Sequence, residues 1–499
     1  MNATHYLACD LGAESGRVML GTLRDNRLSV EEVHRFATGP TTINGSLRWD
    51  VLRIFDEVKT GLAKAAKRNI PIAGLSCDSW GVDYVLVRSD EPVLSAPFHY
   101  RDTRTDGVMD SAFAVVPADE IYGETGVQFM SFNTLYQLLS DSRLRPDLLA
   151  VASHFLLIGD YFNFLFSGVA RAEDSLASTT QLFRPADRRW SSKLIDRFHL
   201  PAGMFPPVVS SGTVLGCLSP GLAAEVGLAG VSVVAGCSHD TGAAVAAVPA
   251  EGTDWGYLSS GTWSLLGVEC PEPLITGTSM KLGFTNEVGY GGTIRFLKNI
   301  IGLWVVQECR RTWVREGADY TYEALVSMAG GAAPFRSFID PADPRFGKPG
   351  DMPARIREYC IETGQKPPST PGETIRCVLE SLALLYRHTM TMLEEATGRR
   401  LNMLHIVGGG SRNAFLNQCT ADATGRTVVA GPDECTAIGN ILVQSIGLGH
   451  TPSLAAARKI VRDSVSLTRF VPADTRTWDR MYEKFLTMRR SLSHKEGSP

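Results

Sequence analysis

Several features that the sequence lacks limit the functions it can encode. Its ten cysteines form no CxxC pair and no Cys/His cluster, so their spacing indicates neither a zinc site nor a disulfide scaffold. No apolar run approaches the roughly 18 residues of a membrane span, and no block of like charges suggests a tail for nucleic acid. The first residues show no basic-then-apolar leader, because Asp10 interrupts the only early apolar stretch. We therefore expect a cytoplasmic protein with neither a nucleic-acid nor a membrane partner.

The composition is that of an ordinary soluble protein. Hydrophobic residues make up 44% and charged residues 20%, and 49 basic against 53 acidic residues give a net charge of −4. A chain of 499 residues is too long for one core, which favours two large domains. The turn-rich link at residues 248–253 places their boundary, so we expect domains at 1–247 and 248–490 and a polar tail at 491–499. Cys360 and Cys377 flank a Pro-rich loop and could form a disulfide on oxidation, but reduced thiols are expected in the cytosol.

Two similar hairpins are predicted about 245 residues apart. The first joins strands at residues 5–11 and 17–23 through a Gly-rich turn, and the second joins 255–258 to 263–268 through Ser259, Ser260, Gly261 and Thr262. Each turn offers backbone N–H groups that suit phosphate oxygens, while Arg17 adds positive charge and Asp10 would hold Mg²⁺ through water. An ordinary Gly-rich turn is the alternative for both. The recurrence suggests two halves of related design.

The segment at residues 235–242 places an acid between a strand and a helix. Residues 231–234 are typical of a buried strand, and a helix start is predicted around Ala243. Asp240 is either the cap of that helix or a carboxylate that accepts a proton from a substrate hydroxyl. The predicted domain boundary follows closely, which places Asp240 at the mouth between the domains, where ligand sites are common. His239 either contacts a substrate or is a structural histidine.

Later in the chain, a long amphipathic helix is predicted at residues 373–397, with Gly398 as its stop. A short helix is predicted near residues 352–363, and a strand at 402–407 ends in three consecutive glycines. Gly408, Gly409 and Gly410 would let a flat adenosine lie against bare backbone, whereas close packing in a loop is the alternative.

Taken together, these motifs resemble those of the FGGY carbohydrate kinase family, nearly end to end from Tyr6 to Phe470. The resemblance rests on residues 10–17, 80–83, 100–102, 132–138, 238–241, 257–264, 297–300, 302–304 and 404–410. It implies an α/β fold of two ribonuclease H-like domains, as in actin, hexokinase and Hsp70-type ATPases, with a cleft between them. General members of the family usually carry a lysine-containing segment where residues 133–138 lie, a difference that points to the branch acting on L-rhamnulose.

The resemblance also implies a reaction and a set of site residues. The reaction would transfer the γ-phosphoryl group of MgATP to O1 of L-rhamnulose, with Asp240 as the proton acceptor. The implied sugar contacts are Gly81, His239, Asp240, Thr241 and Asn299. The implied ATP contacts are Ala13, Glu14, Ser15, Gly16, Arg17, Thr262, Gln307 and Gly409. Glu14 departs from the family pattern, where small polar residues are common.

Three alternatives remain open from the sequence. A kinase for another ketose, such as L-fuculose or a xylulose, would differ only in the sugar pocket. An actin- or Hsp70-type ATPase would hydrolyse ATP without sugar, and a non-catalytic sugar sensor would be expected to lose Asp240 or a hairpin glycine. The expected partner is a small-molecule ketose, and the protein is expected to be a monomer or a homodimer.

Overall fold

Helices and strands follow one another along most of the chain, as in α/β proteins. The computed structural model describes residues 3–496, and side chains as far as residue 490. The strands, in chain order, are β1 Thr4–Leu11, β2 Ser15–Arg24, β3 Arg27–Ala37, β4 Thr41–Ile43, β5 Ser46–Arg48, β6 Ile72–Ser79, β7 Tyr84–Val87, β8 His154–Leu157, β9 Ala172–Glu173, β10 Phe183–Arg184, β11 Arg189–Trp190, β12 Val208–Val209, β13 Thr213–Cys217, β14 Ser232–Ala235, β15 Trp255–Ser260, β16 Trp263–Cys270, β17 Thr285–Val288, β18 Ile294–Ile301, β19 Met403–Val407, β20 Thr427–Ala430 and β21 Thr468–Phe470.

The helices are interspersed with these strands. In chain order they are α1 Val51–Ala66, α2 Val108–Phe113, α3 Ala118–Thr125, α4 Thr134–Leu144, α5 Pro146–Val151, α6 Ile158–Ser167, α7 Asp174–Ala177, α8 Ser192–Arg197, α9 Pro220–Val226, α10 Asp240–Ala246, α11 Gly277–Leu282, α12 Trp304–Arg315, α13 Tyr322–Gly331, α14 Met352–Glu362, α15 Pro371–Thr397, α16 Ala414–Thr424, α17 Cys435–Gly447, α18 Leu454–Ser464 and α19 Thr475–Glu496.

The chain divides into two compact units, each made of several stretches. Unit 1 comprises residues up to 249 together with 269–297 and 434–465, and unit 2 comprises 250–268, 298–433 and the residues from 466 onward. The boundary between residues 247 and 248 stays a prediction. Helix α19 runs to Glu496, within the tail predicted at 491–499, and residues 497–499 lie outside the described residues.

Unit 1 is built on a six-stranded mixed sheet in the order β13-β14-β6-β1-β2-β3. Strand β1 pairs antiparallel with β2 and parallel with β6, which in turn pairs parallel with β14. From Tyr6 to Leu11 every residue of β1 is buried, as expected for a central strand covered on both faces. The first predicted hairpin is therefore confirmed. Because β1, β6 and β14 are parallel, their carboxyl ends lie at one edge of the sheet, where ligands bind in α/β proteins.

Unit 2 repeats this pattern of pairing. Strand β15 pairs antiparallel with β16 and parallel with β19, and β19 pairs parallel with β20. Strand β21 then pairs antiparallel with β20, as β13 does with β14 in unit 1. The second predicted hairpin is confirmed, and the recurrence fits two ribonuclease H-like halves of related design.

Local signals also located the later elements. Helix α15 begins after Thr370, whose hydroxyl accepts a hydrogen bond from the backbone N–H of Glu373 at 3.2 Å. It ends at Gly398, which has a φ of 64°, a value that glycine adopts readily. Helix α14 and strand β19 lie within one residue of their predicted bounds. Cys360 and Cys377 are both buried free thiols. Among the described helices, none combines the length and hydropathy needed to cross a bilayer.

Candidate active site

Three acids lie at the carboxyl ends of the parallel strands of unit 1. Asp10 and Asp78 are directly paired in the register of β1 and β6, and Asp240 follows β14. Asp10 and Asp78 are buried, whereas about a third (32%) of the Asp240 side chain is exposed. Of these three carboxylates, Asp240 is therefore the one that a ligand reaches most readily.

Asp240 is the first residue of α10, not its cap. His239 occupies the N-cap position and makes no side-chain capping bond, which corrects the capping alternative. The Asp240 Oδ1 atom accepts hydrogen bonds from the backbone N–H of Thr241 at 2.5 Å and from its hydroxyl at 3.1 Å. Burial raises the pKa of Asp240 and nearby Asp10 adds to this, while His239 and the Thr241 bonds act in the opposite direction. The first turn of a helix favours an anionic side chain.

A buried carboxylate holds the backbone that carries Asp240. Glu173 accepts hydrogen bonds from the backbone N–H of Ser238 at 3.0 Å and from the Ser175 hydroxyl at 2.5 Å. The same hydroxyl accepts a bond from the His239 N–H at 3.3 Å, and Ser79 N donates to Ser238 O at 2.8 Å. Glu173 lies 65 residues from Ser238 in the chain. No local pattern in the sequence identifies it, because β9, which carries Glu173, and the residues after β14 meet only in the folded unit.

His239 lies between Asp240 and a buried ion pair. Its Nε2 atom is 3.4 Å from Asp240 Oδ1, and its Nδ1 atom is 3.1 Å from Arg295 Nη2 and 3.3 Å from Glu287 Oε2. Although burial raises the pKa of Glu287, the charge of Arg295 and the contact with His239 lower it below its usual value. His239 is thus a buried side chain with a polar neighbour at each ring nitrogen, and it borders the candidate catalytic acid.

Gly81 belongs to a strained turn next to the segment at residues 238–240 that carries Asp240. A Cβ atom at Gly81 would lie 3.0 Å from the Thr179 hydroxyl. The following Val82 has a φ of 69°, which for a β-branched residue stores about 1–3 kcal/mol and is common near functional sites. The hydroxyl of Thr134 and the amide of Gln137 both donate to the Val82 carbonyl, at 2.7 Å and 3.3 Å.

Asp83 fixes the far side of that turn. Its carboxylate accepts hydrogen bonds from the indoles of Trp49 and Trp80, the backbone N–H of Tyr100 and the amide of Gln137, at 2.6 to 3.1 Å. Burial raises the pKa of Asp83 to about 6, although these donors oppose the shift. Trp80 is buried against Trp49, with ring centroids 4.2 Å apart, so it packs within the core.

Arg17 connects the first hairpin to a second acid. It lies opposite Asp10 in the register of β1 and β2, with its Nη2 atom 2.5 Å from Asp10 Oδ2, and its Nη1 atom forms an ion pair with Glu434. The turn itself is backed by Thr38, whose hydroxyl donates to Gly12 O at 2.6 Å. Glu434 was not expected from the sequence, since it lies just before α17, more than 400 residues away.

The residues around Asp10 fit a weakly held Mg²⁺. No group of three or more His, Cys, Asp or Glu side chains that could bind a metal occurs among the described residues, so they offer no dedicated cage. Mg²⁺ is usually held by one or two carboxylates and keeps several waters. Next to Asp10, Asp78 accepts a bond from Asn440 at 2.6 Å, while its Oδ1 atom is buried without a partner among the described residues. An unsatisfied buried oxygen beside Asp10 suits a site that attracts positive charge.

The second hairpin, in unit 2, is held by backbone hydrogen bonds. The carbonyl oxygen of Thr262 accepts bonds from the N–H groups of Gly302 and Trp304, at 3.1 and 3.2 Å, and Gly261 O accepts one from Leu303 N at 3.0 Å. A Cβ atom at Gly302 would lie 2.5 Å from the Ser264 hydroxyl, so this contact requires glycine. No titratable side chain lies in the turn at residues 260–262.

The three consecutive glycines have different roles. A Cβ atom at Gly410 would lie 2.0 Å from the Ser260 hydroxyl, and one at Gly408 would lie 3.0 Å from Ser260 O. Gly408 also has a φ of 84°. At Gly409, in contrast, a Cβ atom would meet nothing within 4 Å. Close packing therefore explains Gly408 and Gly410, and Gly409 alone borders open space.

The remaining predicted site residues are divided between the two units. Unit 2 holds Asn299 on β18 and Gln307 on α12, together with Thr262 and Gly409. The Oε1 atom of Gln307 is buried and has no partner among the described residues. The other predicted residues belong to unit 1: Asp10, Ala13, Glu14, Ser15, Gly16, Arg17, Gly81, His239, Asp240 and Thr241.

Comparisons with known proteins identify two family domains along the chain. Residues 5–247 match the N-terminal domain of the FGGY family of carbohydrate kinases, and residues 256–448 match its C-terminal domain. The chain is 40% identical over 481 residues to a rhamnulokinase of Bacteroides thetaiotaomicron, covering 96% of this chain and 98% of that protein. It is 41% identical over 470 residues to a rhamnulokinase of Halalkalibacterium halodurans, covering 94% and 99% of the two chains.

Solved structures show the same fold at low sequence identity. A ligand-bound xylulose kinase from Lactobacillus acidophilus is similar with a TM-score of 0.81 at 16% identity, covering 98% of each chain. Plasmodium falciparum glycerol kinase with ADP is similar with a TM-score of 0.76 at 13% identity, covering 99% of each chain. Both domain matches and the relatives at about 40% identity, taken with the paired hairpins and the acid at α10, lead to one conclusion: this chain is a carbohydrate kinase of the FGGY family.

Proposed function

We propose that the protein transfers the γ-phosphoryl group of MgATP to O1 of L-rhamnulose, with Asp240 as the proton acceptor. The observation that carries this proposal is the partly exposed carboxylate of Asp240 at the start of α10, beside His239 and close to Asp10. The choice of sugar is supported by the relatives named rhamnulokinase, which align over more than nine tenths of the chain. ATP is the phosphoryl donor expected for this family.

In this proposal the residues of unit 1 bind and activate the sugar. Asp240 accepts the O1 proton as O1 forms a bond to the γ-phosphorus, and the bond from that phosphorus to the β,γ-bridging oxygen breaks, releasing ADP. Gly81, His239 and Thr241 contact the sugar, and Asn299 of unit 2 adds a further contact. Because the Glu173 network fixes the backbone from Ser238 to His239, the acid is oriented before the sugar binds.

The nucleotide is assigned to the two hairpins and to the loop at Gly409. The turn from Ala13 to Arg17, including Glu14, Ser15 and Gly16, and the turn at Thr262 face its phosphates. Gly409 and Gln307 contact its remaining parts, which agrees with the open space at Gly409 and the unpartnered Gln307 Oε1 atom. When bound, Mg²⁺ neutralises charge on the phosphates, and Asp10 would hold it through water.

The test is ADP release, coupled to a spectrophotometric readout, with L-rhamnulose, L-fuculose, L-ribulose and a xylulose. The proposal expects the highest kcat/KM with L-rhamnulose, and product analysis should find phosphate at O1. A higher kcat/KM with another ketose would establish the alternative sugar, and an absence of stimulation by every ketose would overturn the proposal. Size-exclusion chromatography of the same sample tests the expected monomer or homodimer.

A further inference from the structure

A buried ion pair in unit 1 reaches the side chain of His239. Glu287 on β17 and Arg295 on β18 are directly opposite in the antiparallel register, and Arg295 Nη1 lies 3.0 Å from Glu287 Oε2. The Arg295 side chain has no exposed surface at all. Its Nε atom donates to Val288 O at 3.1 Å, which fixes the plane of the guanidinium. Removing two charges from water is costly. This buried pair is in direct contact with His239, a residue of the candidate site.

The contact with Arg295 favours one position of the proton on the His239 ring. A guanidinium has only donors, so Arg295 Nη2, 3.1 Å from His239 Nδ1, requires an unprotonated Nδ1 that accepts. A neutral imidazole then carries its proton on Nε2, the atom that lies 3.4 Å from Asp240 Oδ1.

Glu287 favours the opposite tautomer. Its Oε2 atom is 3.3 Å from the same Nδ1 atom and would accept a proton held there. However, Glu287 Oε2 lies nearer to Arg295 Nη1, at 3.0 Å, than to His239 Nδ1. Of the two contacts at Nδ1, the one with Arg295 Nη2 is also shorter than the one with Glu287. The distances therefore favour donation from Arg295.

We propose that Arg295 is a positioning residue that fixes the tautomer of His239, so that Nε2–H is a hydrogen-bond donor directly beside Asp240. This inference rests on the proposed function for its consequence in catalysis. An ionised Asp240 can only accept, so it binds a sugar hydroxyl as a donor, whereas His239 binds an oxygen that accepts. A ketose presents this pair of oxygens in the hydroxyl at C1 and the neighbouring carbonyl oxygen, which can only accept. The arrangement therefore matches the α-hydroxy ketone of a ketose, with Asp240 facing the hydroxyl and His239 facing the carbonyl oxygen.

The experiment is a long-range ¹H–¹⁵N NMR spectrum of the full chain labelled with ¹⁵N-histidine, recorded without sugar. The chain has ten histidines, and the His239→Gln variant identifies the signals that belong to His239. We expect a pyridine-type Nδ1 and a pyrrole-type Nε2 in the wild type. The Glu287→Gln variant should keep this pattern, whereas Arg295→Met should reverse it or mix the two tautomers. A pyrrole-type Nδ1 in the wild type, with or without a protonated Nε2, would overturn the proposal.

A matched control separates this effect from a general loss of buried charge. Arg458 of unit 1 is also largely buried in an ion pair, 2.8 Å from Glu269, and Arg458→Met should leave the His239 signals unchanged. In kinetics, Arg295→Met should lower kcat/KM for the ketose about 10- to 100-fold, by analogy with the loss of partners that orient metal-ligating histidines, with little change in the KM for ATP. If Arg295→Met does not fold, the wild-type and Glu287→Gln spectra still show which nitrogen of His239 carries the proton and whether Glu287 affects it. Since the spectra need no sugar, a wild type that no ketose stimulates would contradict the proposed function and leave the tautomer result standing.

Discussion

The hairpin of unit 1 and the hairpin of unit 2 have similar sequence patterns but different chemistry. The first carries Asp10 and Arg17 across from each other, with Glu434 as a further partner, so charges hold it. The second is held by backbone bonds from Gly302, Leu303 and Trp304 and carries no titratable group in its turn. The first hairpin is thus held mainly by paired charges, and the second mainly by the shape of its backbone. Substitutions in the two hairpins should therefore differ in their effects on catalysis, on the KM for ATP and on the melting temperature.

The largest effect is expected on the charged side. Asp240→Asn removes the proposed proton acceptor, so kcat should fall roughly 10²- to 10⁴-fold while calorimetry still detects binding of sugar and ATP. Asp56→Asn, at an exposed acid on α1, is the matched control and should leave kcat unchanged. Near-normal turnover of Asp240→Asn would reduce Asp240 to a structural role at the start of α10.

The two hairpins are compared directly by removing one side chain from each. Arg17→Met should raise the KM for ATP about 10- to 100-fold, because hydrogen bonds to charged groups contribute about 1.5–3 kcal/mol. Thr262→Ala removes a neutral hydroxyl and should raise it only about 2- to 10-fold. Equal effects in steady-state kinetics would contradict the division into a charged and a neutral hairpin.

A third test examines whether shape is what unit 2 contributes. Gly410→Ala places a Cβ atom against Ser260, and such overpacking costs about 1–3 kcal/mol, so the melting temperature should fall. Gly409→Ala meets open space and should leave the melting temperature unchanged while raising the KM for ATP.

The double variant Gly410→Ala/Ser260→Gly provides the control, because it removes the side chain that the new methyl group would meet. It should recover most of the lost melting temperature. If Gly409→Ala and Gly410→Ala lower the melting temperature equally, the different roles assigned to the two glycines are wrong.

The smallest effect is expected in the pH profile. Burial raises the pKa of Asp240, and the ionised form is the one that accepts a proton. Activity should therefore be lost as the pH falls, starting at a higher pH than for an ordinary aspartate with a pKa of about 3.9. Profiles of kcat/KM for the sugar measure this acid limb, and Thr262→Ala should not move it. An acid limb at or below the ordinary pKa would contradict the assignment of Asp240.

Local patterns were sufficient to predict much of the fold. The two hairpins, helix α15 with its stop at Gly398, and strand β19 all follow from spacing, turn residues and caps that lie within a few residues of one another. Asp240 was found for the same reason, because it stands between a strand and a helix. Its place as the first helical residue instead of the cap depends on backbone angles that the sequence does not show.

The partners of these residues were not predicted. Glu173, Arg295 and Glu287 reach the segment at His239 from distant strands and helices, and Asn440 reaches Asp78 from α17. Each is an ordinary polar residue in its own stretch of sequence. Only the sheet register and the packing of helices on it bring them to Asp240 and Asp78.

The sequence by itself determined the two hairpins, several other elements, the likeness to FGGY kinases and the identity of the candidate acid, because each is carried by residue patterns along the chain. The tertiary structure alone decided that residues 269–297 and 434–465 belong to unit 1, and that His239 contacts a buried arginine. It also decided that only the middle of three glycines borders open space. The physical reason is that burial and the pairing of charges are properties of the folded sheet and its neighbours, which local sequence patterns do not record.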